Sequence, residues 1–75
     1  MRSAVLFETH RTAYCIEDVA DRAMTVRELI DLLSGYDGGT LVLMSNDNGY
    51  TYGNLNRWEF WDADEDEDGD WEEYK

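Results

Sequence analysis

Residues 24–33 read Met-Thr-Val-Arg-Glu-Leu-Ile-Asp-Leu-Leu. Four apolar residues in this stretch are spaced at i, i+3, i+4 and i+7, so they line one side of a helix: Val26, Leu29, Ile30 and Leu33. Thr25 stands just before them and Glu28 follows three residues later, which is the spacing of a capping box. The stretch predicts one short, capped helix, and its apolar stripe needs a second layer to cover it.

Strand patterns precede the helix. Residues 3–8 form a short apolar run rich in β-forming residues, and residues 12–17 have the same character. Thr9, His10 and Arg11 give a short polar connection between them. The pattern predicts that the two strands pair as a hairpin.

Strand patterns also follow the helix. Residues 40–45 give the clearest strand, and Asn48-Gly49 then supplies the positive φ angles of a tight turn into a partner strand over residues 50–52. Residues 57–61 alternate around aromatic side chains and predict one more strand. The element order predicts an α+β fold: a small antiparallel sheet of four to five strands, in the order β-β-α-β-β, with one helix packed on one face.

Charge divides the chain unevenly. The chain carries 18 acidic and 6 basic residues, a net charge of −12, and the last fourteen residues hold nine of the acids. We therefore predict a folded domain over residues 1–61 and an acidic, aromatic-containing tail over residues 62–75. A field of this sign repels nucleic acid and anionic membranes and attracts basic protein surfaces.

The tail and the aromatic residues before it form the predicted partner-binding site. Carboxylates pair with the same Arg and Lys side chains that hold phosphates, so the tail predicts mimicry of a nucleic acid toward a basic nucleic-acid-binding protein. Tryptophans are enriched among interface anchors, whereas Phe60 is expected to pack on the core. The predicted binding residues are Asp62, Asp64, Glu65, Asp66, Glu67, Asp68, Asp70, Glu72, Glu73, Trp58, Trp61 and Trp71.

Two other interpretations of the acidic segment stay open. The segment is also typical of a disordered, solubilising tail on a small structural or accessory domain. Residues 64–69 read Asp-Glu-Asp-Glu-Asp-Gly and match the first half of an EF-hand loop, but Lys75 occupies the twelfth position, where a bidentate Glu is needed. The pattern therefore favours at most weak calcium binding, and we expect no specific metal site.

No pattern indicates catalysis or a cofactor. His10 is the only histidine and lies in the predicted hairpin turn, while Cys15 is the only cysteine and has the spacing of a small apolar residue in a strand. No zinc-type spacing and no phosphate-binding glycine loop is present in the sequence. A lone cysteine forms no internal disulfide, and neither a signal peptide nor a long apolar run occurs, so we expect a cytoplasmic, non-enzymatic protein.

Residues 24–55 resemble a pattern in small phage and prophage proteins. In those proteins a T-V-x-E-L-I-x-x-L helix is followed by an apolar strand and a polar turn, as Thr25 to Leu33, Leu41 to Leu43 and Asn48-Gly49-Tyr50 are here. Small acidic phage proteins include anti-CRISPR proteins and other inhibitors that mimic DNA, and this chain is similar to them in size and charge. The resemblance implies an inhibitor whose partner is a CRISPR effector.

Overall fold

The computed structural model describes residues 1–10 and 13–75. The described chain holds two short helices and five strands: β1 (Ala4–Thr9), α1 (Glu17–Ala20), α2 (Val26–Leu33), β2 (Leu41–Asn46), β3 (Thr51–Asn54), β4 (Asp62–Glu65) and β5 (Trp71–Tyr74). These elements belong to two compact units. The first unit comprises residues 1–10 and 24–55, and the second unit comprises residues 13–23 and 56–75 of the described chain.

The sheet of the first unit has the order β1-β2-β3. β1 and β2 are parallel, with Ala4 opposite Leu41 and Thr9 opposite Asn46, and β2 and β3 are antiparallel. A parallel pair needs a long connection, and residues 10–40 supply one that includes α2. The prediction of a single antiparallel sheet in the order β-β-α-β-β is therefore wrong: the strands form two sheets, and the first is mixed.

The predicted capping box of α2 is confirmed. The Glu28 N–H donates to Thr25 Oγ1 at 3.2 Å, and the Thr25 N–H donates to Glu28 Oε1 at 3.1 Å. The hydrogen bond from the Thr25 backbone, followed by the one from its hydroxyl, lowers the pKa of Glu28. Both partners of the box thus satisfy backbone donors that the first helical turn leaves unpaired.

The apolar stripe of α2 is only partly covered. Leu33 is half-buried and lines a groove with Val5 and Val42 of the sheet. Val26 and Ile30, on the same stripe, remain 77% and 60% exposed. The prediction that one helix packs on one face of the sheet is therefore wrong: Leu33, in the last turn, lines a groove with the strands, whereas Val26 and Ile30 remain exposed.

The interior of the first unit is shallow. No apolar side chain among the described residues is fully buried, and the residues of the central strand from Leu41 to Met44 are half-buried. The most enclosed side chain is polar: Ser45 is 8% exposed. Its hydroxyl donates to Glu8 Oε1 at 2.8 Å, so this burial leaves no unpaired donor. A sheet of three short strands offers little area for a core.

The second unit contains a two-stranded antiparallel sheet of β4 and β5. Asp62 lies opposite Tyr74, and Glu65 lies opposite Trp71. Residues 62–75, which the sequence predicts to be a tail, therefore form a β-hairpin, and residues 13–23 belong to the same unit.

Two predicted strands do not form as expected. Residues 13–16 are irregular and the segment that follows is α1, so the predicted pairing of residues 12–17 with the first strand is wrong. Arg11 and Thr12, in the predicted connection and strand, lie outside the described residues. Residues 57–61 form a turn rather than a strand, and Phe60 is 77% exposed, so its predicted packing on the core is also wrong.

Candidate functional site

The loop between β4 and β5 is organised by one aspartate. Asp66 Oδ1 accepts from the N–H groups of Asp68 and Asp70, both at 2.9 Å, and the Asp66 N–H donates to the Asp70 carbonyl at 2.8 Å. Gly69, at the end of the loop, has a φ of +85°, which is a conformation that glycine adopts without strain. These contacts make a short hairpin loop out of an acidic sequence.

One side of the hairpin is acidic. Alternate residues of a strand point to the same side and lie about 7 Å apart, so Asp62 and Asp64 of β4 share a side with Glu72 and Tyr74 of β5. We call these four residues the acidic face. The charge of Glu72, then partial desolvation and the charge of Asp64, raise the pKa of Tyr74. The tyrosine thus responds to the negative charge concentrated on this side.

The opposite side of the hairpin carries aromatic residues together with carboxylates. Trp61 Nε1 donates to Glu73 Oε1 at 2.9 Å, and Lys75 Nζ lies 4.7 Å from the centroid of the Trp61 ring. Trp71 and Glu65 lie on this side as well, as the strand register requires. The hydrogen bond from Trp61 holds the Glu73 carboxylate in place.

The predicted binding residues are divided by the hairpin among four places. Three carboxylates lie on the acidic face, and Glu65, Glu73, Trp61 and Trp71 lie on the other side. Four acids lie in the loop: Asp66, Glu67, Asp68 and Asp70. Trp58 stands apart in the preceding turn, 80% exposed, with the Arg57 guanidinium 5.6 Å from its ring centroid.

The calcium interpretation finds no support in the geometry of the loop. Asp66, the third residue of the matched segment, has its Oδ1 occupied by two backbone N–H groups. Within the described part of the chain, no three His, Cys, Asp or Glu side chains come together as metal ligands would. Asp-x-Asp-Gly is here the pattern of a hairpin loop.

A cleft of about 400 Å³ lies wholly within the second unit. The start of α1 and the residues before it form one wall, and the start of β5 forms the other. Two aromatic and three acidic residues are among those that line it: Tyr14, Glu17, Asp70, Trp71 and Glu73. The Trp71 indole N–H is enclosed and has no hydrogen-bond partner among the described residues.

Sequence reasoning missed the first wall of this cleft. The β-forming character of residues 12–17 predicts a strand, although Ile16, Val19 and Ala20 have helical spacing. All three are half-buried in the structure. That spacing was the available signal for α1.

A second polar cluster, at the carboxyl ends of β1 and β2, was also missed. Glu8 accepts from the Asn48 N–H at 3.0 Å and from the Ser45 hydroxyl, and these two hydrogen bonds lower the pKa of Glu8. The cluster ties β1 to the turn after β2. Its partners are about 40 residues apart in sequence, and no short motif connects them.

Neither helix in the described part of the chain is long and apolar enough to span a membrane. Comparisons with protein-family models, with curated proteins and with solved structures gave no match. The resemblance to small phage proteins thus stays a prediction.

Proposed function

We propose that this protein is a non-catalytic interaction protein that binds a basic, nucleic-acid-binding surface of another protein through its C-terminal hairpin. The observation that carries the proposal is the acidic face, where Asp62, Asp64 and Glu72 stand at strand spacing on an ordered backbone. Carboxylates on an ordered backbone pair with the arginines and lysines of such a surface at less entropic cost than those of a disordered tail. The hairpin thus replaces phosphates with carboxylates.

The partner class follows from charge. A chain with a net charge of −12 is drawn to basic protein surfaces, and clustered Arg and Lys occur where proteins bind nucleic acid. Given the resemblance to phage inhibitors, we propose a CRISPR effector in the cytoplasm of a bacterial host as the first partner to test. The exposed Trp58, in the turn that precedes the hairpin, would serve as an anchor of the contact.

The test is binding to a purified CRISPR effector, with double-stranded DNA as competitor. We expect DNA to displace the protein, and we expect affinity to fall with salt because the Debye length is about 8 Å at physiological ionic strength. Joint substitution of Asp62→Asn, Asp64→Asn and Glu72→Gln is expected to slow association by tenfold or more, roughly as loss of electrostatic steering does.

The matched control removes three charges from the first unit by Asp31→Asn, Asp37→Asn and Asp47→Asn. This control is expected to retain nearly all of the binding, because these side chains do not belong to the hairpin. Equal losses in the two triple variants would mean that net charge alone matters, and the proposed site would be wrong. Binding that DNA does not compete with would overturn the mimicry of nucleic acid.

A further inference from the structure

We infer that the cleft of the second unit binds the side chain of an arginine presented by a protein partner. The inference rests on the proposed function for the partner's identity, but the cleft itself is a separate site from the acidic face. Glu73 and Trp71 lie on the opposite side of the hairpin from Asp62, Asp64 and Glu72. The two sites can therefore be tested independently.

The cleft has the size and composition of a specific site for a side chain. Its volume of about 400 Å³ lies within the range of roughly 300 to 1,000 Å³ that is typical of ligand pockets. Trp71, which is half-buried, and Tyr14, which is exposed, both line the cleft and make part of its lining aromatic. A flat cation gains from both kinds of neighbour, because aromatic faces attract cations and carboxylates pair with them.

The charge of the cleft selects a cation. Glu17, Asp70 and Glu73 line it, and none of the described residues that line it is basic. Three acidic residues that line one partly enclosed space make its potential negative, and a positive charge is attracted more strongly there than in open water. A neutral or anionic occupant would not gain this attraction.

The three carboxylates come from ordered backbone. Glu17 begins α1, the Asp70 N–H is held by Asp66 Oδ1, and Trp61 Nε1 holds the Glu73 carboxylate. Of the three carboxylates, that of Glu73 is held in place, and a held carboxylate suits a guanidinium, which presents five N–H donors in one plane, better than the compact ammonium of lysine. An arginine side chain also stacks on the face of an indole.

The experiment follows the indole N–H signals of the ¹⁵N-labelled protein while a peptide with a single arginine, acetyl-Gly-Arg-Gly-amide, is added. The same peptide with citrulline is a neutral control of the same shape, and a lysine version tests charge without the planar group. We expect a saturable shift of the Trp71 signal with the arginine peptide. The citrulline peptide is expected to bind roughly tenfold more weakly or worse, because charge-assisted hydrogen bonds are lost.

Glu17→Gln is expected to weaken binding of the arginine peptide by a similar factor, and Asp70→Asn repeats the test at the other wall. Asp62→Asn makes the same charge change on the acidic face and is expected to leave this binding within about twofold. Equal shifts with arginine and citrulline, equal losses in Glu17→Gln and Asp62→Asn, or no saturable shift would each overturn the inference. If any of these results is obtained while the acidic-face triple variant still fails to bind its protein partner, only the assignment of the cleft is wrong. If the peptide binds but the triple variant keeps its partner, only the proposed function fails.

Discussion

The two units of this protein build sheets from opposite kinds of sequence. β1 and β2 of the first unit read Ala-Val-Leu-Phe-Glu-Thr and Leu-Val-Leu-Met-Ser-Asn, whereas five of the eight residues of β4 and β5 are acidic. In the first unit apolar residues share a groove with α2. In the second unit a loop with its own hydrogen bonds and a Trp61–Glu73 contact set the strand pairing. Strand pairing is thus stabilised in the first unit by partial burial of apolar side chains and in the second unit by a loop that aligns the two strands.

The difference predicts different weak points. The stability of the first unit is expected to be most sensitive to substitutions that remove buried apolar area. The stability of the second unit is expected to be most sensitive to substitutions that strain the loop between β4 and β5. All three tryptophans lie in the second unit, so their fluorescence reports on that unit. Far-UV circular dichroism follows both units, and the two signals together separate them.

The largest effect is expected from Val42→Asp. Val42 is half-buried in the central strand and lines the groove with Leu33, so a carboxylate there would lose its hydration. We expect a loss of about 2–3 kcal/mol in the free energy of unfolding, measured by urea denaturation. Leu6→Asp is the control, because Leu6 is 49% exposed on an outer strand, and its cost is expected to be smaller. Equal costs would show that the groove is not where the first unit buries its apolar area.

The next effect concerns the loop of the second unit. Gly69→Ala forces a side chain onto a φ of +85° and is expected to cost about 1–2 kcal/mol, seen as a lower midpoint of the tryptophan transition. Gly53→Ala in β3 is the matched control, because its φ is not positive and a Cβ there meets nothing within 4 Å. A Gly69→Ala variant as stable as the Gly53→Ala variant would mean that the loop does not set the hairpin.

A smaller effect is expected at the cap of α2. Thr25→Ala removes the acceptor of the Glu28 N–H and is expected to cost about 1 kcal/mol in thermal or urea unfolding. Thr25→Ser keeps the hydroxyl and is expected to leave the free energy of unfolding nearly unchanged, since serine caps helices at least as well as threonine. Thr25→Ala is not expected to weaken binding of the arginine peptide, since Thr25 belongs to the other unit. Equal stability of the Ala and Ser variants would show that the Thr25 hydroxyl does not stabilise this helix.

The smallest effects are expected in the pH dependence, with opposite signs in the two units. In the first unit the pKa of Glu8 is lowered, first by the Asn48 N–H and then by the Ser45 hydroxyl, so its contribution is present above its unfolded-state pKa. That contribution is lost as the pH falls through the folded-state pKa. Glu8→Gln is expected to remove this acid dependence in urea titrations. If the loss of stability at low pH is the same in Glu8→Gln as in the original protein, Glu8 is not its source.

In the second unit the pKa of Tyr74 is raised, chiefly by Glu72, so its contribution is present below its unfolded-state pKa and is lost as the pH rises through the folded-state value. Ultraviolet difference titration is expected to show one tyrosine that ionises at higher pH than the others. Glu72→Gln is expected to return that tyrosine toward its usual pKa. If Glu72→Gln leaves the titration unchanged, the charge of Glu72 does not raise the pKa of Tyr74, and the two side chains do not share one side of the hairpin.

Local features were predictable from the sequence. The cap at Thr25, the helix over Val26–Leu33 and the central strand Leu41–Asn46 follow from side-chain periodicity within a few residues. The turn at Asn48-Gly49 follows from residues that tolerate positive φ, which both adopt. The concentration of acids after residue 61 is visible in composition alone. These features depend on neighbours in the sequence, and for that reason the sequence is enough to find them.

Tertiary structure alone decided how the elements pair. β1 lies parallel to β2, more than 30 residues away, instead of forming a hairpin with the next segment, because register over such distances depends on the side chains that meet and not on a local turn. The charge repulsion expected of residues 62–75 favours a disordered tail, yet the backbone bonds around Asp66 and the Trp61–Glu73 contact hold a hairpin. Only that hairpin separates Asp62, Asp64 and Glu72 on the acidic face from Glu65 and Glu73 on the opposite side, since strand alternation sends neighbouring residues to opposite sides.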